Sequence, residues 1–517
     1  MLTTVLTILG IVAVVVAGSR AFLYAMHMFQ LNSYRETVHL DWMRSHPRSF
    51  WSQTLVALLV IATLLSQANA WRIIAIVVLV GCFFLNRRAK HIKKPLVFTG
   101  RVQRMMVTTL VIAALLIGLA FVTPGRFTFP IILLVYVLSS VLPVLANLIN
   151  RPVEAGIRRH YIHDAVKKLK EHPNLIVIGI TGSYGKTSVK YMLTTLLKAK
   201  YNVLMTPESF NTPMGVVKTI REQLRSTHEI FVCEMGAYRK GEIKEICDIV
   251  NPRHGVITAV GEQHLETFKT IDTIRATKYE LAEAVAGRGI LFLNGDSPQI
   301  RQHLPTQERR VYGLSEGVDV RSLDISVSRE GTQFSLTSQG KRYDKLQTSL
   351  IGEHNVVNLT GAIAVCDALG LTETQIRSQL RKVQGAPHRL QLTQSRGLTI
   401  VDDSYNSNPA GARAALATLK LFDDYKICIT PGMVDLGSQQ DALNEEFGRE
   451  MADVCDRVIL VGRRQTAAIA KGLTTAGYSD ADVDIVESFT EAMARAQAAA
   501  AGRPAVLLLE NDLPDNY

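Results

Sequence analysis

The chain has 517 residues and carries 57 Lys and Arg against 46 Asp and Glu, a formal net charge of +11. That length is too great for one compact core. The basic excess lies beside apolar segments with no RNA- or DNA-binding motif, so it suits anionic lipid headgroups and excludes nucleic acid as a partner. Six cysteines, none in a CxxC pair, point to reduced and mostly buried thiols.

In chain order the first elements are apolar runs near residues 3–25, 53–69, 71–86, 105–123 and 128–149, each close to the length a bilayer requires. They predict an all-α transmembrane bundle of about five helices, in which the second and third form a tight hairpin. The first run lacks a positive n-region and a clear small-residue cleavage site, so it reads as an anchor. Arg87, Arg88, Lys90, Lys93, Lys94, Arg101 and Arg104 precede or open the fourth run, and Arg151, Arg158 and Arg159 follow the fifth. Positive residues stay inside. The expected protein is therefore a multi-pass plasma-membrane protein with its N-terminus outside and everything after residue 150 in the cytoplasm.

From about residue 172, β-branched runs alternate with helix-period segments, the pattern of a parallel sheet covered by helices. Strands are expected at Leu175–Ile180, Ile230–Glu234, Gly255–Val260 and Ile290–Asn294, then antiparallel hairpins between Val318 and Leu350 with turns at Glu330-Gly331 and Gln339-Gly340. A second α/β set follows at Leu398–Asp402, Tyr425–Thr430, Arg457–Val461 and Ala505–Glu510. The divisions expected are a membrane region over 1–150, a P-loop-type parallel-sheet central domain over 151–386 and a Rossmann-like C-terminal α/β domain over 387–517, with a hinge near Gly385–Arg389.

The stretch NLIVIGITGSYGKTS, residues 174–188, carries the most chemistry. A buried-strand run stops at a glycine-punctuated turn and an amphipathic helix follows. Gly182 and Gly185 allow a tight turn whose N–H groups, with those of Ser183 and Ser188, face an anion at the helix N-terminus. Lys186 would meet the β/γ-phosphates and the Thr187 hydroxyl would bind Mg²⁺. Ile180 stands where a full GxxxxGK[ST] loop has its first glycine, so the pattern is the shorter TGxxGKTS. Glu234 closes an apolar strand, where open α/β sheets place ligands, and is a candidate Mg²⁺ ligand or else a solvated strand-end carboxylate.

Six ordered motifs then acquire a common meaning: TGSYGKTS, SFNTPMG at 209–215, CEMGA at 233–237, EQHLETF at 262–268, GEHNVVN at 352–358 and DDSYNSNP at 402–409. Over roughly residues 172–470 the chain resembles the Mur ligase family. The resemblance implies an ATP-dependent, ADP-forming ligase that activates a carboxylate as an acyl phosphate for attack by an amine. It suggests addition of an amino acid or a dipeptide such as D-Ala-D-Ala to a muropeptide-like cell-wall precursor.

The same resemblance makes His264 and a carbamylated Lys278 ligands of a second Mg²⁺, although from residue type alone Lys278 reads as a surface lysine. It places His354, Asn355 and Asn358 near adenine, with helix capping the plainer role for Asn355. Arg389 and Asp403 would reach ATP from the C-terminal domain, and Asn211 would lie on the substrate side. The pattern departs from the family in two places. About 25 residues separate the last apolar run from the phosphate-loop strand, too few for a domain that holds a uridine nucleotide. Residues 507–517 read LLLENDLPDNY where the member it most resembles has a Lys-Gly-Ser element. A lipid-linked acceptor, positioned by the bundle, would account for the first. Competing readings are a membrane-bound poly-γ-glutamate synthase and, from another class, a transport ATPase, which the scarcity of ionisable residues within the apolar runs disfavours.

Overall fold

The computed structural model describes residues 1–512 apart from Gln67, residues 86–94, Ser209, Gln263, His264, residues 396–397, Asn406, Asp435 and Arg464. His264 and the basic residues Arg87, Arg88, Lys90, Lys93 and Lys94 thus lie outside the described residues. Contacts divide the chain into two units, one ending at Arg159 and one beginning at His160.

The first unit is helical: Leu2–Leu31, Glu36–Ser45, Trp51–Leu65, Asn69–Leu85, Gly100–Val122, Gly125–Leu138 and the start of Leu142–Lys170. Val14, Leu79, Phe129, Ile132 and Tyr136 pack its interior, and Gly10 admits the Phe129 ring, which a Cβ would meet at 2.6 Å. Large apolar side chains such as Leu58, Leu110 and Leu115 stay exposed, as expected where the surrounding solvent is lipid. Two helices, Leu2–Leu31 and Gly100–Val122, are long and apolar enough to cross a membrane. Gly125–Leu138 and Leu142–Lys170 bend by 78° and give a third span only if the pair counts as one. Among the described residues, two or three of the about five expected spans meet the length a bilayer requires, and the two shorter apolar helices do not. Trp51–Leu65 has 15 residues and Asn69–Leu85 has 17, so at ~1.5 Å per residue they reach only about 22–26 Å of a ~30 Å hydrocarbon layer.

The second unit holds two sheets. The strands of the first are β1 (Ile176–Thr181), β2 (Val203–Met205), β3 (Ile230–Glu234), β4 (His254–Ile257), β5 (Leu291–Asn294), β6 (Arg309–Gly313), β7 (Val320–Ser328), β8 (Gly331–Ser338) and β9 (Lys341–Thr348), in the order β2-β3-β1-β4-β5-β6-β7-β8-β9. Pairing is parallel from β2 to β7 and antiparallel from β7 to β9. The parallel strands are buried on both faces and so read as unbroken apolar runs. The helix Lys186–Leu197 buries Val189, Met192, Leu193, Leu196 and Leu197, a single stripe at helical spacing.

The second sheet has six strands, β10 (Gln391–Ser395), β11 (Leu398–Asp403), β12 (Tyr425–Thr430), β13 (Arg457–Val461), β14 (Val483–Val486) and β15 (Ala505–Glu510), ordered β10-β11-β15-β12-β13-β14. Only the β10–β11 pair is antiparallel. Asp403 and Glu510 end neighbouring strands in register.

Candidate active site

The site forms where β1 runs into the helix Lys186–Leu197. Gly182 has φ 151° and Gly185 φ 80°, backbone that side-chain-bearing residues rarely adopt. Space forbids a side chain as well: a Cβ on Gly182 would strike the Thr258 hydroxyl, and one on Gly185 would lie 2.7 Å from Asn358 Oδ1. The loop is pinned to the segment after β4. The Ser183 amide donates to Ala259 O at 2.8 Å, Ser183 Oγ to Gly261 O at 2.9 Å, and the Thr258 hydroxyl to Tyr184 O. Lys186 Nζ arches back over the loop and donates to Gly182 O at 2.6 Å and Ser183 O at 3.1 Å. Burial brings its ammonium down to about 8, with Glu234 opposing and Arg389 reinforcing the drop.

Glu234 pairs with Ile180 across β1 and β3, so the end of the neighbouring strand faces the loop. Its Oε1 accepts from the Thr187 hydroxyl and from Asn211 Nδ2, each at 3.1 Å. Its Oε2 lies 3.0 Å from Lys190 Nζ, both side chains being almost fully buried. Burial alone would raise the Glu234 carboxyl, but Lys190, Lys186 and Asn211 outweigh it and hold it below its usual range. Lys190 also donates to Glu208 O at 2.5 Å, which ties the loop bearing Asn211 to the same carboxylate. The solvated reading of Glu234 is therefore corrected: it is 1% exposed.

A cavity of about 470 Å³ opens over this loop. Ser183, Gly185, Lys186, Thr187 and Ser188 form one wall, His354, Asn355 and Asn358 another, and Arg389, Asp403 and Asn408 a third. Residues from the motifs at 181–188, 352–358 and 402–409, spread over more than 200 positions of sequence, thus converge on one hollow. Burial lowers His354 to about 4, leaving a neutral ring at neutral pH. Asn355 does not cap the helix Glu353–Ala368: its Nδ2 donates to Ile351 O at 2.9 Å, and the cap residue is Gly352. Arg389 sits over the Tyr405 ring at 4.6 Å. Asp403 accepts from the Leu390 amide at 3.1 Å, and burial pushes its carboxyl up to about 6 against the pull of Arg389.

Lys278, on the helix Ile271–Val285, is only 3% exposed, which corrects its reading as a surface lysine. Burial, with the charge of Lys186 adding to it, lowers its ammonium to about 7. Its Nζ lies 5.8 Å from the Phe268 ring centre. Glu280 is occupied elsewhere, accepting from the Gly241 and Lys244 amides at 2.7 and 2.8 Å, where a carboxylate suits a helix N-terminus. Asn211 stands behind Glu234, its backbone oxygen accepting from Gly236 at 2.8 Å.

Among the described residues no three His, Cys, Asp or Glu side chains cluster to hold a metal. The Thr187 hydroxyl and the Glu234 carboxylate are oxygen donors of the kind Mg²⁺ takes beside phosphate and water, so that pair fits a nucleotide-bound ion. Lys190 and Tyr184 went unnoticed in the sequence, yet Lys190 follows Lys186 by four positions on one helix face, which is the signal that would have found it.

Residues 180–366 match the Mur ligase middle domain and residues 388–509 the Mur ligase glutamate ligase domain. The UDP-N-acetylmuramoyl-tripeptide–D-alanyl-D-alanine ligase of Bacillus subtilis is 32% identical over 300 residues, 57% of this chain and 64% of that protein. The chain therefore spans less than two thirds of that relative's length. Crystal structures of MurF from Acinetobacter baumannii and of MurF ligase from Thermotoga maritima in complex with ADP superpose with TM-score 0.62 at 26% identity. Each covers 69% of this chain, which in turn covers 77% and 80% of theirs.

Proposed function

Because this chain belongs to the Mur ligase family, we propose that it is an ATP-dependent, ADP-forming ligase. It joins the amine of an amino acid or dipeptide, D-alanyl-D-alanine foremost, to a carboxylate on a muropeptide-like acceptor. The observation that carries this reading is the meeting of Lys186, Thr187 and Glu234 with Arg389 and Asp403 around one cavity. The names of the relatives in Bacillus subtilis and Thermotoga maritima support the chemistry and the nucleotide.

Magnesium ATP supplies the γ-phosphoryl group that the acceptor carboxylate takes up, after which the amine nitrogen forms the amide bond and phosphate leaves. The protein's part is alignment and charge neutralisation. Lys186 and the Gly185 amide would meet phosphate oxygens, whereas the Ser183 amide is committed to Ala259 O, and the Thr187 hydroxyl and Glu234 would hold Mg²⁺. Arg389 approaches the phosphates from the C-terminal domain, whose sheet we read as Rossmann-like, and Asp403 approaches the nucleotide beside it. His354, Asn355 and Asn358 line the end of the cavity assigned to adenine, where Asn358 Oδ1 lies against the Gly185 turn of the phosphate loop. Asn211 orients Glu234 and faces the acceptor.

A second Mg²⁺ would be held by His264 together with Lys278 as a carbamate. Lys278 suits that modification because a buried amine with a value near 7 is about half unprotonated at neutral pH, and the neutral form adds to CO₂ and releases one proton. We place the catalytic unit at the cytoplasmic face of the plasma membrane, anchored by the helices of the first unit, and take the acceptor to be lipid-linked.

The test is a screen of candidate amines and of UDP-linked and lipid-linked muropeptides, with ADP release and product mass measured for the wild type and for Lys186→Ala. A new amide product formed only by the wild type supports the reading. ADP release without any ligated product, or unchanged ligation in Lys186→Ala, overturns it.

A further inference from the structure

We propose that Glu510, at the end of β15, is a positioning residue: a neutral carboxylic acid that donates its proton to Asp403 and so holds Asp403 as the charged wall of the nucleotide cavity. This rests on the ligase reading given above and adds to it a residue that touches neither substrate nor nucleotide. The pairing follows from register. Asp403 and Glu510 lie opposite one another at the ends of β11 and β15, and residues in register on neighbouring strands project from the same face of the sheet. Two carboxyls that share a site do not both ionise freely, so the pair keeps one negative charge.

The surroundings assign the proton. Glu510 is 0% exposed; its Oε1 accepts from the Ser407 hydroxyl, while its Oε2 has no hydrogen-bond partner. A bare buried oxygen costs more when it is charged than when it is neutral, and a proton on Oε2 makes it a donor. Asp403 is the better anion. It lines the cavity, and the Arg389 guanidinium and the Leu390 amide both favour its charged form. Burial and the charge of Asp403 push the Glu510 carboxyl well above its ordinary range, against the Ser407 hydrogen bond.

The other titratable groups around the pair leave this assignment in place. Asp402, next along β11 and therefore on the other face, is engaged by His388 and Ser404 and gives Asp403 only the smallest of its upward pushes. Cys428 on β12 is a neutral thiol, raised by its hydrogen bond with Cys455 and by burial. Arg413, on the helix Pro409–Leu419, is paired with Glu446 and Glu450.

The following residue closes the clasp. Asn511 donates its amide to Asp403 O at 3.2 Å, accepts from the Ser407 amide on Oδ1 at 3.1 Å and donates from Nδ2 to Gly432 O at 2.5 Å. Ser407 is thus held by its backbone and by its side chain. Next to it, Asn408 caps the helix Pro409–Leu419 through the Gly411 amide at 3.0 Å and lines the cavity with Asp403. The turn after β15 therefore fixes both the strand end and the loop that bound the cavity on this side.

The test uses the full chain in nanodiscs. Infrared difference spectra of wild type against Glu510→Gln at neutral pH should show a protonated-carboxyl C=O band, shifted down in D₂O, that the variant lacks. Glu510→Gln puts an amide donor where the acid proton lies and should keep kcat/KM for ATP within about twofold of wild type, with the acid limb in place. Glu510→Met has similar bulk and no donor, so kcat/KM should fall about tenfold and the limb should move to higher pH, because the anionic form of Asp403 has lost a donor. A role in packing alone would be met by methionine as well as by glutamine. Hydrogen exchange over β12 and β13 checks that both variants fold; if Glu510→Met does not, the band and the Glu510→Gln profile decide. A missing band, which means two charged carboxyls or a cation between them, overturns the proposal. So does a folded Glu510→Met that matches Glu510→Gln, or a folded Glu510→Gln that is inactive. If the band is present but no amide product ever forms, the ligase reading falls and the proton assignment stands; product without the band is the reverse.

Discussion

Lys190→Met is the most informative single change. The Lys190 ammonium is fully buried and meets the Glu234 carboxylate at 3.0 Å, with Glu234 itself 1% exposed. Breaking a pair of this kind leaves a carboxylate in a low-dielectric site, which costs about 3–5 kcal/mol, far more than the ~0–1 kcal/mol of an exposed pair. Thr187 and Asn211 still donate to Oε1, so the lower part of that range is expected. Replacing both partners, Lys190→Met with Glu234→Gln, removes the stranded charge and should be less destabilising than Lys190→Met alone.

The readout must report on the second unit. All three tryptophans, Trp42, Trp51 and Trp71, lie in the first, so intrinsic tryptophan fluorescence is blind to this change. Hydrogen exchange of peptides covering β1 and β3, measured by mass spectrometry, gives opening free energies for those strands. At ~1.4 kcal/mol per tenfold, exchange in Lys190→Met should rise by roughly two to three powers of ten, and ADP release should fall with it because Glu234 loses its fixed orientation. Exchange within a factor of three of the wild type, or a double variant whose cost is the sum of the two single ones, would refute the argument that this pair frames the site.

After removal of CO₂, bicarbonate should restore wild-type ligation, and at fixed dissolved CO₂ the rate of recovery should rise with pH up to about 7 and then level. The reason is that burial has lowered Lys278 to about 7, so the reactive neutral amine grows as pH rises to that value. Lys278→Ala should be inactive with or without bicarbonate, and a fully active alanine variant would end the idea. Asp403, raised to about 6 by burial, should give an acid limb in kcat/KM that falls as pH drops through that value; Asp403→Asn should lack the limb, and a limb retained there assigns it to another group. Gly185→Ala should destabilise the loop by about 1–2 kcal/mol, because φ is 80° there, seen as faster exchange in the peptide 180–188; unchanged exchange would show that the left-handed conformation is dispensable.

Much of the α/β body was legible because its parallel strands are apolar runs with clean ends. Ile230–Glu234, Tyr425–Thr430, Arg457–Val461 and Ala505–Glu510 have the bounds read from the sequence. The turn at Gln339-Gly340 was legible because both residues take positive φ, 50° and 76°, as a tight hairpin requires. The strands that escaped are those whose signal is weak. β2 has three residues, and β10, QLTQS, is polar because it lies at the edge of its sheet. β14, VDIV, carries an acid that pairs with Arg457 at 2.8 Å.

The site was legible in identity but not in depth. Sequence spacing placed Glu234 and Lys278 on the right strand and helix, yet gave no hint that both are buried, since burial of a charged side chain is decided by what other segments bring to it. Lys190 brings its ammonium to Glu234 from the helix of the phosphate loop, and Asn211 brings its amide from the loop ahead of the next helix.

Under the proposed reading, these placements suit the crevice electrostatically to a polyphosphate. Lys186 and Lys278 each lose part of their affinity for a proton to burial, and each is depressed further by a neighbouring cation, Arg389 for the first and Lys186 for the second. Cations that depress one another have been gathered by the fold at an energetic cost, and Glu234 offsets only part of it, because its Oε2 is already engaged by Lys190. Negative charge delivered between Lys186 and Arg389 would relieve that repulsion, on a loop held in place by the Ser183 amide donating to Ala259 O and the Thr258 hydroxyl donating to Tyr184 O. The shortened loop lacks the first glycine of the longer pattern because the Ile180 position faces the core at 0% exposure, where a side chain is needed for packing and a glycine would leave a cavity.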